Sequence, residues 1–449
     1  KDFSLSSNIE IKELLFMNKL KLENFLPNIN NNIKLSNHKI KIDYKEKELI
    51  VSGNGDVLLQ DELDKLSYSI FNKDKKTNFE IFVKIKKNPF VVDFLDYEKK
   101  EKNEMSIDLK GSSNNENILF NLISFKEENN YLRINNLLLN KKLIIDLSSI
   151  DINFLDNKNK INKLNMVSKK DTFYLKGPTF NANNLIEKLL SDDDKKLNII
   201  KKKFKLDIDI TELFLNQHDS LKNFRGNLLI HNQDILNGNL EGNFSNNEKF
   251  IFTVKSDESD KTTTLYMDKA KPMVDRYEFI KGFNEGKLDF YSSKNDDQTV
   301  STLKIYDFKL KELPALTKVL TLASLQGIAD LLSGEGIRFN EFEMNFKTQG
   351  NLMTIEEIYA IGPAISILMN GYIKKNKLVS LRGTLVPATT INKVIGSIPI
   401  LGQILVGSKT GEGVFGVSFK IKGSPNNLET SVNPIKTLTP RFITRTLEK

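Results

Sequence analysis

The sequence predicts a mainly β protein built from antiparallel strands, and three observations support this prediction. Apolar and polar residues alternate with a period of two over many short segments. Clusters of Asn, Asp, Gly and Ser separate these segments, as turns do. Few segments carry the 3.6-residue period of a helix. Short strands joined by turns, with few helices between them, favour antiparallel meanders over βαβ units.

Two segments alternate most strictly, at 79–86 and 204–210. Side chains alternate across a strand, so the apolar positions of each segment share one face. These positions are Ile81, Val83, Ile85, Phe204, Leu206, Ile208 and Ile210. Weaker alternation predicts strands at 39–44, 227–231, 250–254, 263–267, 287–291, 301–310, 337–347, 364–373, 378–386 and 414–422.

Four segments are predicted to be helical, at 184–190, 272–283, 313–332 and 390–406. The third has a wide apolar stripe that includes Leu316, Val319 and Leu320, and the glycines at 334 and 336 end it. The fourth is a broken pair of apolar helices, interrupted by a proline and a glycine at 399 and 402. Changes in Gly and Pro content divide the chain into an N-terminal β region at 1–165, a middle β region with short helices at 166–312, and a C-terminal region at 313–449.

The composition excludes several classes of function. The 449 residues are 39% hydrophobic, which is enough for a folded core. The net charge of +8 comes from lysines interleaved with acids, as at 45–48 and 99–102, and this pattern favours a solvated surface over a nucleic-acid site. The absence of cysteine excludes disulfides, thiol catalysis and Cys-ligated metals.

No motif indicates catalysis or a cofactor. Residues 411–416 match G-x-G-x-x-G, but a strand-like segment follows where a dinucleotide site needs a helix. Residues 402–410 resemble a P-loop, but an extra serine separates the second glycine from the lysine. The three histidines are far apart in polar sequence, so we expect them at the surface and expect no metal. The acidic clusters at 192–194 and 257–260 are typical of solvated turns. We therefore expect no enzymatic activity and no cofactor.

No segment has the roughly 20 consecutive apolar residues that a membrane span requires. The longest uncharged apolar stretch, at 394–408, is shorter and contains a proline. Residue 1 is Lys rather than Met, so the absence of a targeting segment does not indicate the cytoplasm.

The sequence does not decide what the apolar faces of the strands pack against. Amphipathic strands can close into a sandwich core, or they can form a long curved sheet whose apolar inner face is a groove. Sequence alone does not separate the two.

The last third of the chain resembles the C-terminal region of the AsmA-like superfamily, and particularly its YhdP-type (TamB/AsmA-related) envelope proteins of proteobacteria. The resemblance is carried by the order and spacing of short segments over about 140 residues. These segments are 307–310, 313–316, 322–328, 332–339, 362–364, 371, 381–387, 398–402, 411–415, 432–435 and 439–442. The segments 175–182 and 256–258 are similar to the middle region of these proteins. One departure is Glu285, which stands where the family tends to have the first of two glycines.

The resemblance implies an elongated, curved antiparallel β-sheet body in the periplasm, held at the inner membrane by an N-terminal anchor that is missing from this chain. It implies a non-enzymatic role in intermembrane phospholipid transport and outer-membrane lipid homeostasis, with Lys-rich rims facing anionic head groups. Phospholipids are the expected partners, with outer-membrane or envelope proteins as further candidates and no nucleic acid. A scaffold or assembly factor for outer-membrane proteins is the alternative.

Under this resemblance the seven apolar positions of the two strictest strands would line the groove, although a closed core would use them equally well. The family-motif positions are read as turn and bend determinants. They are Gly334, Gly336, Gly362, Pro363, Gly371, Gly383, Pro387, Pro399, Gly402, Gly413, Asn433 and Pro434.

Overall fold

The structure is a computed structural model. It describes residues 3–19, 22–141, 143–190, 202–232, 234–244, 247–257, 260–276, 282–295, 297–311, 314–322, 334–375, 377–387, 417–425 and 427–432. Strands hold 72% of the described residues and helices 5%, so the predicted mainly β class is confirmed. By internal contacts the chain divides into two units, Lys1–Leu236 (unit 1) and Asn237–Lys449 (unit 2). The three regions expected from sequence stay a prediction.

Unit 1 is a long sheet in which nearly every strand pairs with the next one along the chain. Its strands are β1 (Ser4–Met17), β2 (Asn32–Lys45), β3 (Glu48–Leu58), β4 (Leu63–Lys73), β5 (Lys76–Ile85), β6 (Val91–Val92), β7 (Tyr97–Glu98), β8 (Met105–Ser113), β9 (Asn117–Glu127), β10 (Asn130–Asn140), β11 (Leu143–Asp146), β12 (Ser149–Leu155), β13 (Ile161–Lys169), β14 (Thr172–Asn181), β15 (Phe204–Phe214) and β16 (Ser220–His231). A 3₁₀ turn lies at Asp93–Leu95, and helix α1 spans Asn183–Leu190. β6 and β7 form a separate small hairpin.

Unit 2 begins within β17 (Asp234–Asn243) and continues as an antiparallel meander. Its further strands are β18 (Lys249–Ser256), β19 (Asp260–Met267), β20 (Asn284–Asn295), β21 (Gln298–Leu310), β22 (Ile337–Gln349), β23 (Leu352–Ile361), β24 (Ile365–Lys374), β25 (Leu378–Pro387), β26 (Val417–Ser424) and β27 (Asn427–Val432). Helices α2 (Lys271–Val274) and α3 (Pro314–Leu322) interrupt the meander. Among the described residues no helix is long and apolar enough to cross a bilayer.

The expectation of antiparallel meanders without βαβ units is wrong at one place. β14 and β15 are parallel, with Leu175 beside Ile208, and α1 lies in the connection between them. Parallel neighbours need a crossover of a dozen or more residues, and residues 182–203 supply it. The helix predicted at 184–190 is therefore confirmed as part of a crossover.

The other helix predictions have mixed outcomes. The helix expected over 272–283 is a single described turn, α2. Of the helix expected over 313–332, the described part is α3, in which Leu316, Val319 and Leu320 are buried as the apolar stripe predicts. Residues 390–406 lie outside the described part of the chain.

Each unit is closed at one end of its strands by short segments that cover the apolar face. In unit 1 the segment 86–104 packs there: Phe90 lies 5.1 Å from Phe125 of β9, measured between ring centroids. In unit 2 the rings of Phe283, Phe308 and Phe339 stack at 5.4 and 5.3 Å, and the backbone N–H of Ala270 bonds to Gly286. The fully buried core lies at these closed ends.

Candidate functional site

The central feature of unit 1 is a cross-strand row of apolar residues. Directly paired residues on neighbouring strands project to the same face of a sheet. Pair by pair, the register joins Ile81 of β5 to Ile208 of β15, so one row contains a candidate from each of the two strictest strands. The whole row is Ile9, Ile40, Gly53, Tyr68, Ile81, Leu109, Ile123, Ile134, Ile150, Met166, Leu175, Ile208 and Gly226.

This row, the unit 1 apolar row, is uncharged and keeps solvent contact. Ile9 is 41% exposed, and every member from Ile40 to Gly226 is partly exposed. The adjacent row on the other face is polar except for Phe82. It runs Glu10, Lys39, Asn54, Ser67, Phe82, Asp108, Ser124, Arg133, Asp151, Asn165, Lys176, Asp209 and Arg225. The sheet is therefore amphipathic across thirteen strands.

The other candidate lining residues divide by depth. Val83, Leu206 and Phe204 are partly exposed on the same face as the unit 1 apolar row. Ile85 and Ile210 lie at the closed end, where they are 0% and 2% exposed. These two are core residues, whereas the other five reach solvent.

Unit 2 has an equivalent row, the unit 2 apolar row, on β17 to β27. It runs Leu240, Phe252, Leu265, Phe290, Leu303, Met344, Ile358, Met369, Gly383, Phe419 and Val432. The members from Leu240 to Met344 are partly exposed, whereas Ile358 and Phe419 are buried at 7% and 4%. No member of this row except Gly383 is a candidate position in the sequence, because these strands alternate less strictly than those at 79–86 and 204–210.

A buried polar network joins the covering segment of unit 1 to the sheet. Glu127 is fully buried at the end of β9 and accepts hydrogen bonds from the Tyr97 hydroxyl at 2.7 Å and from the Lys100 backbone N–H at 2.9 Å. Asp64 is also fully buried and accepts from Asn88 Nδ2 at 2.7 Å. These bonds tie residues 88–100 to β4 and β9.

The pKa shifts in this network follow from burial and from these hydrogen bonds. Burial raises the pKa of Tyr97, and its bond to Glu127 raises it further. Burial would raise the pKa of Glu127, but the hydrogen bonds it accepts outweigh burial and hold its pKa below the usual range. Burial raises the pKa of Asp64 and lowers that of Lys99. The hydrogen bonds of this network join the covering segment to β4 and β9, so the network is typical of buried polar groups that hold two segments together.

A cavity of about 330 Å³ lies between the 3₁₀ turn and α1. Asp93, Asp96 and Glu187 line it. Asp96 Oδ2 lies 3.7 Å from Lys158 Nζ, and Asn183 Nδ2 donates to Glu187 Oε1 at 2.8 Å. No group of three or more acids or histidines in the described residues could hold a metal ion.

His38 differs from the sequence expectation. It was expected at the surface, but it is 0% exposed on the apolar face of β2, with its ring stacked on Tyr68 at 5.6 Å. Neither ring nitrogen has a hydrogen-bond partner in the described residues. Burial lowers the pKa of His38, and nearby Asp56 opposes this shift without cancelling it. The left-handed backbone at Asn37 (φ 48°) coincides with a shift of register between β2 and β3, and this irregularity is not readable from polar sequence.

Several of the family-motif positions lie in turns or at close contacts between strands, and their role as turn and bend determinants stays a prediction. Gly336 has a φ of +89° just before β22. Gly371 has a φ of +147°, and a Cβ there would collide with the Ser380 carbonyl of β25. Gly334 lies in a turn before β22, Gly362 and Pro363 lie in the connection between β23 and β24, Gly383 lies within β25, and Pro387 ends that strand. Pro399, Gly402, Gly413, Asn433 and Pro434 lie outside the described residues, as do the two nucleotide-like motifs at 402–416. The segment that follows the G-x-G-x-x-G match at 411–416 is β26, a strand as the sequence predicts.

Comparison with protein-family models and with curated proteins finds no match to this chain. The class of protein is therefore argued from its own geometry: a mainly β protein with an amphipathic sheet in each unit.

Proposed function

We propose that this protein is a non-enzymatic carrier that binds the acyl chains of phospholipids on its apolar rows and supports their transport between membranes of the cell envelope. The observation that carries the proposal is the unit 1 apolar row, which is uncharged over thirteen strands and partly exposed almost throughout. A closed sandwich would bury such a row completely.

The energetics favour a lipid chain as the occupant. Each CH₂ group removed from water contributes about 0.8 kcal/mol, so an acyl chain needs apolar surface rather than a shaped pocket. Strands lie about 4.8 Å apart, so thirteen strands place roughly 58 Å of row along the sheet. One bilayer leaflet is about 15 Å of hydrocarbon, so the row is long enough for several acyl chains.

The cellular setting is a proposal that rests on the resemblance of residues 307–442 to AsmA-like proteins. It places the body in the periplasm, anchored at the inner membrane, with a role in outer-membrane lipid homeostasis. Phospholipids are its partners, and neither a cofactor nor a nucleic acid takes part.

A matched pair of neighbouring substitutions tests the proposal. Ile208 lies in the unit 1 apolar row, and Asp207 projects to the opposite, polar face, where it pairs with Tyr174 and Asn227. Gly226, the direct partner of Ile208 on β16, carries no side chain. We expect Ile208→Arg to lower transfer of a fluorescent phospholipid between vesicles at least about fivefold. An acyl chain on the row would have to cover the charge of the arginine or give up its contacts there, and either costs about 1 kcal/mol or more. Asp207→Arg is expected to leave transfer within about twofold.

Two further measurements complete this test. Mass spectrometry of the purified wild-type chain is expected to find copurified phospholipid, and circular dichroism checks that both variants fold. Equal transfer by the two folded variants, or a lipid-free wild-type chain that transfers nothing, would overturn the proposal.

A scaffold or assembly factor for outer-membrane proteins is the second candidate, and strand β1 favours it. Within the described residues β1 pairs with β2 on one side only, and Leu5, Leu15 and Met17 are 50%, 58% and 70% exposed. A long edge strand with exposed apolar side chains can accept a strand from another chain. Photo-crosslinking from position 15 that captures barrel precursors, with no phospholipid on the chain, would favour this candidate.

A further inference from the structure

We infer that Lys261 of β19 and Lys294 of β20 form a binding site for the head group of an anionic phospholipid, at the end of these strands opposite the closed end of unit 2. The inference rests on the proposed function and specifies its substrate class. The site lies on the same face as the unit 2 apolar row, because both lysines alternate in step with Leu265 and Phe290.

The two lysines are direct cross-strand partners. Like charges directly opposite each other destabilise a sheet, because their Cβ atoms lie only about 5 Å apart. Neither ammonium has an ion-pair partner within the described residues, and the neighbouring Asp260 projects to the opposite face. Within the described residues the pair therefore presents two positive charges without ion-pair partners to whatever occupies this face.

A comparable pair elsewhere in the chain is compensated. Lys65 of β4 and Lys84 of β5 are also direct partners, but on the polar face of unit 1. Lys65 Nζ lies 2.5 Å from Asp56, and Lys84 Nζ lies 2.6 Å from Glu104. Each lysine of this pair has an acid as its ion-pair partner, whereas in the part of the chain that the structure describes Lys261 and Lys294 form no ion pair.

Along the strands from the two lysines towards the closed end, the side chains change from charged to hydroxyl to apolar, as a phospholipid changes from phosphate to ester to acyl chain. Two positions further along the strands lies a row of hydroxyls, and Ser301 Oγ donates to Ser292 Oγ at 3.1 Å. Another two positions on are Leu265, Phe290 and Leu303. Each step is about 6.6 Å, so charge, hydroxyl and apolar surface succeed one another over about 13 Å.

An unsatisfied hydroxyl lies beside the lysines. Ser256 of β18 pairs directly with Lys261, and its Oγ is buried without a hydrogen-bond partner in the described residues. A phosphodiester oxygen held by Lys261 would bring an acceptor to this row. The commitment to a lipid head group, rather than a free phosphate, follows from the apolar row that continues directly behind the charges.

Selective lipid uptake tests the inference. The wild-type chain is incubated with equal vesicles of phosphatidylglycerol and of phosphatidylcholine with the same acyl chains, then separated from the vesicles, and the lipid on the protein is quantified. One lysine near an anionic lipid contributes about fivefold in affinity. We expect the wild-type chain to recover at least about fivefold more phosphatidylglycerol, and the double variant Lys261→Gln/Lys294→Gln to recover the two lipids within about twofold.

The matched control is Lys65→Gln/Lys84→Gln, which changes the net charge equally and is expected to keep the wild-type ratio. Equal uptake of both lipids by the wild-type chain, or a wild-type ratio in the Lys261/Lys294 variant, overturns the head-group site while leaving acyl binding intact. Recovery of neither lipid by the wild-type chain overturns the proposed function, and the site with it.

Discussion

At the scale of single residues, His38 links the apolar face to pH. Burial of its ring outweighs the stabilising effect of nearby Asp56 on the charged form, so the folded chain binds a proton less readily than the unfolded chain. The unfolded state then carries more protons once the pH falls below about 6.5, and stability is lost as the pH falls through that value. Above about pH 6.5 the protonation of His38 no longer lowers the free energy of unfolding.

The consequence is measurable with one substitution. We expect His38→Leu to lose less stability than the wild-type chain between pH 7.5 and pH 5.5, by up to about 1.4 kcal/mol per unit of pKa difference. Urea unfolding midpoints at both pH values measure this. The exposed His218 supplies the control, since His218→Leu should retain the wild-type pH dependence. If His38→Leu keeps the wild-type pH dependence of stability, protonation of His38 does not contribute to the loss of stability at low pH.

At the scale of elements, local alternation predicted strands well because the period of two is a property of each strand alone. The sequence could place Ile81 and Ile208 each on the apolar face of its own strand. It could not place them in one row, since that requires the register of every strand between them. The parallel β14–β15 pair was missed for the same reason, because a crossover is decided by packing far along the chain.

Strand β1 allows a test at this scale. Leu15 and Met17 are 58% and 70% exposed, so a charge there removes apolar surface without opening a core. We expect Leu15→Glu/Met17→Lys to shift stability by no more than about 0.5 kcal/mol and to reduce self-association in light scattering, because charged side chains on an edge strand oppose pairing and the glutamate would lie opposite Lys34. Unchanged association would mean that the edge of β1 does not mediate contacts. Leu35→Lys, at a position only 7% exposed, is the destabilising comparison.

At the scale of the whole molecule, both units repeat one arrangement. Each has a closed end with the buried core and an apolar row that keeps solvent contact over many strands. The unit 1 apolar row is partly exposed throughout, and the unit 2 apolar row is partly exposed from Leu240 to Met344. A ligand that binds the folded chain and not the unfolded chain must then stabilise it by mass action.

Lipid removal is therefore expected to lower the thermal midpoint of the protein. At a lipid concentration a hundred times the dissociation constant the stabilisation is about 2.7 kcal/mol, which for a unit of about 200 residues corresponds to roughly 5–10 °C. Differential scanning fluorimetry before and after delipidation, and again after phospholipid is added back, measures the shift. Ile208→Arg should reduce the recovery on adding lipid back, whereas Asp207→Arg should not. A midpoint that does not respond to lipid would mean that the rows are stable while exposed to water, and the carrier proposal would then lose its energetic basis.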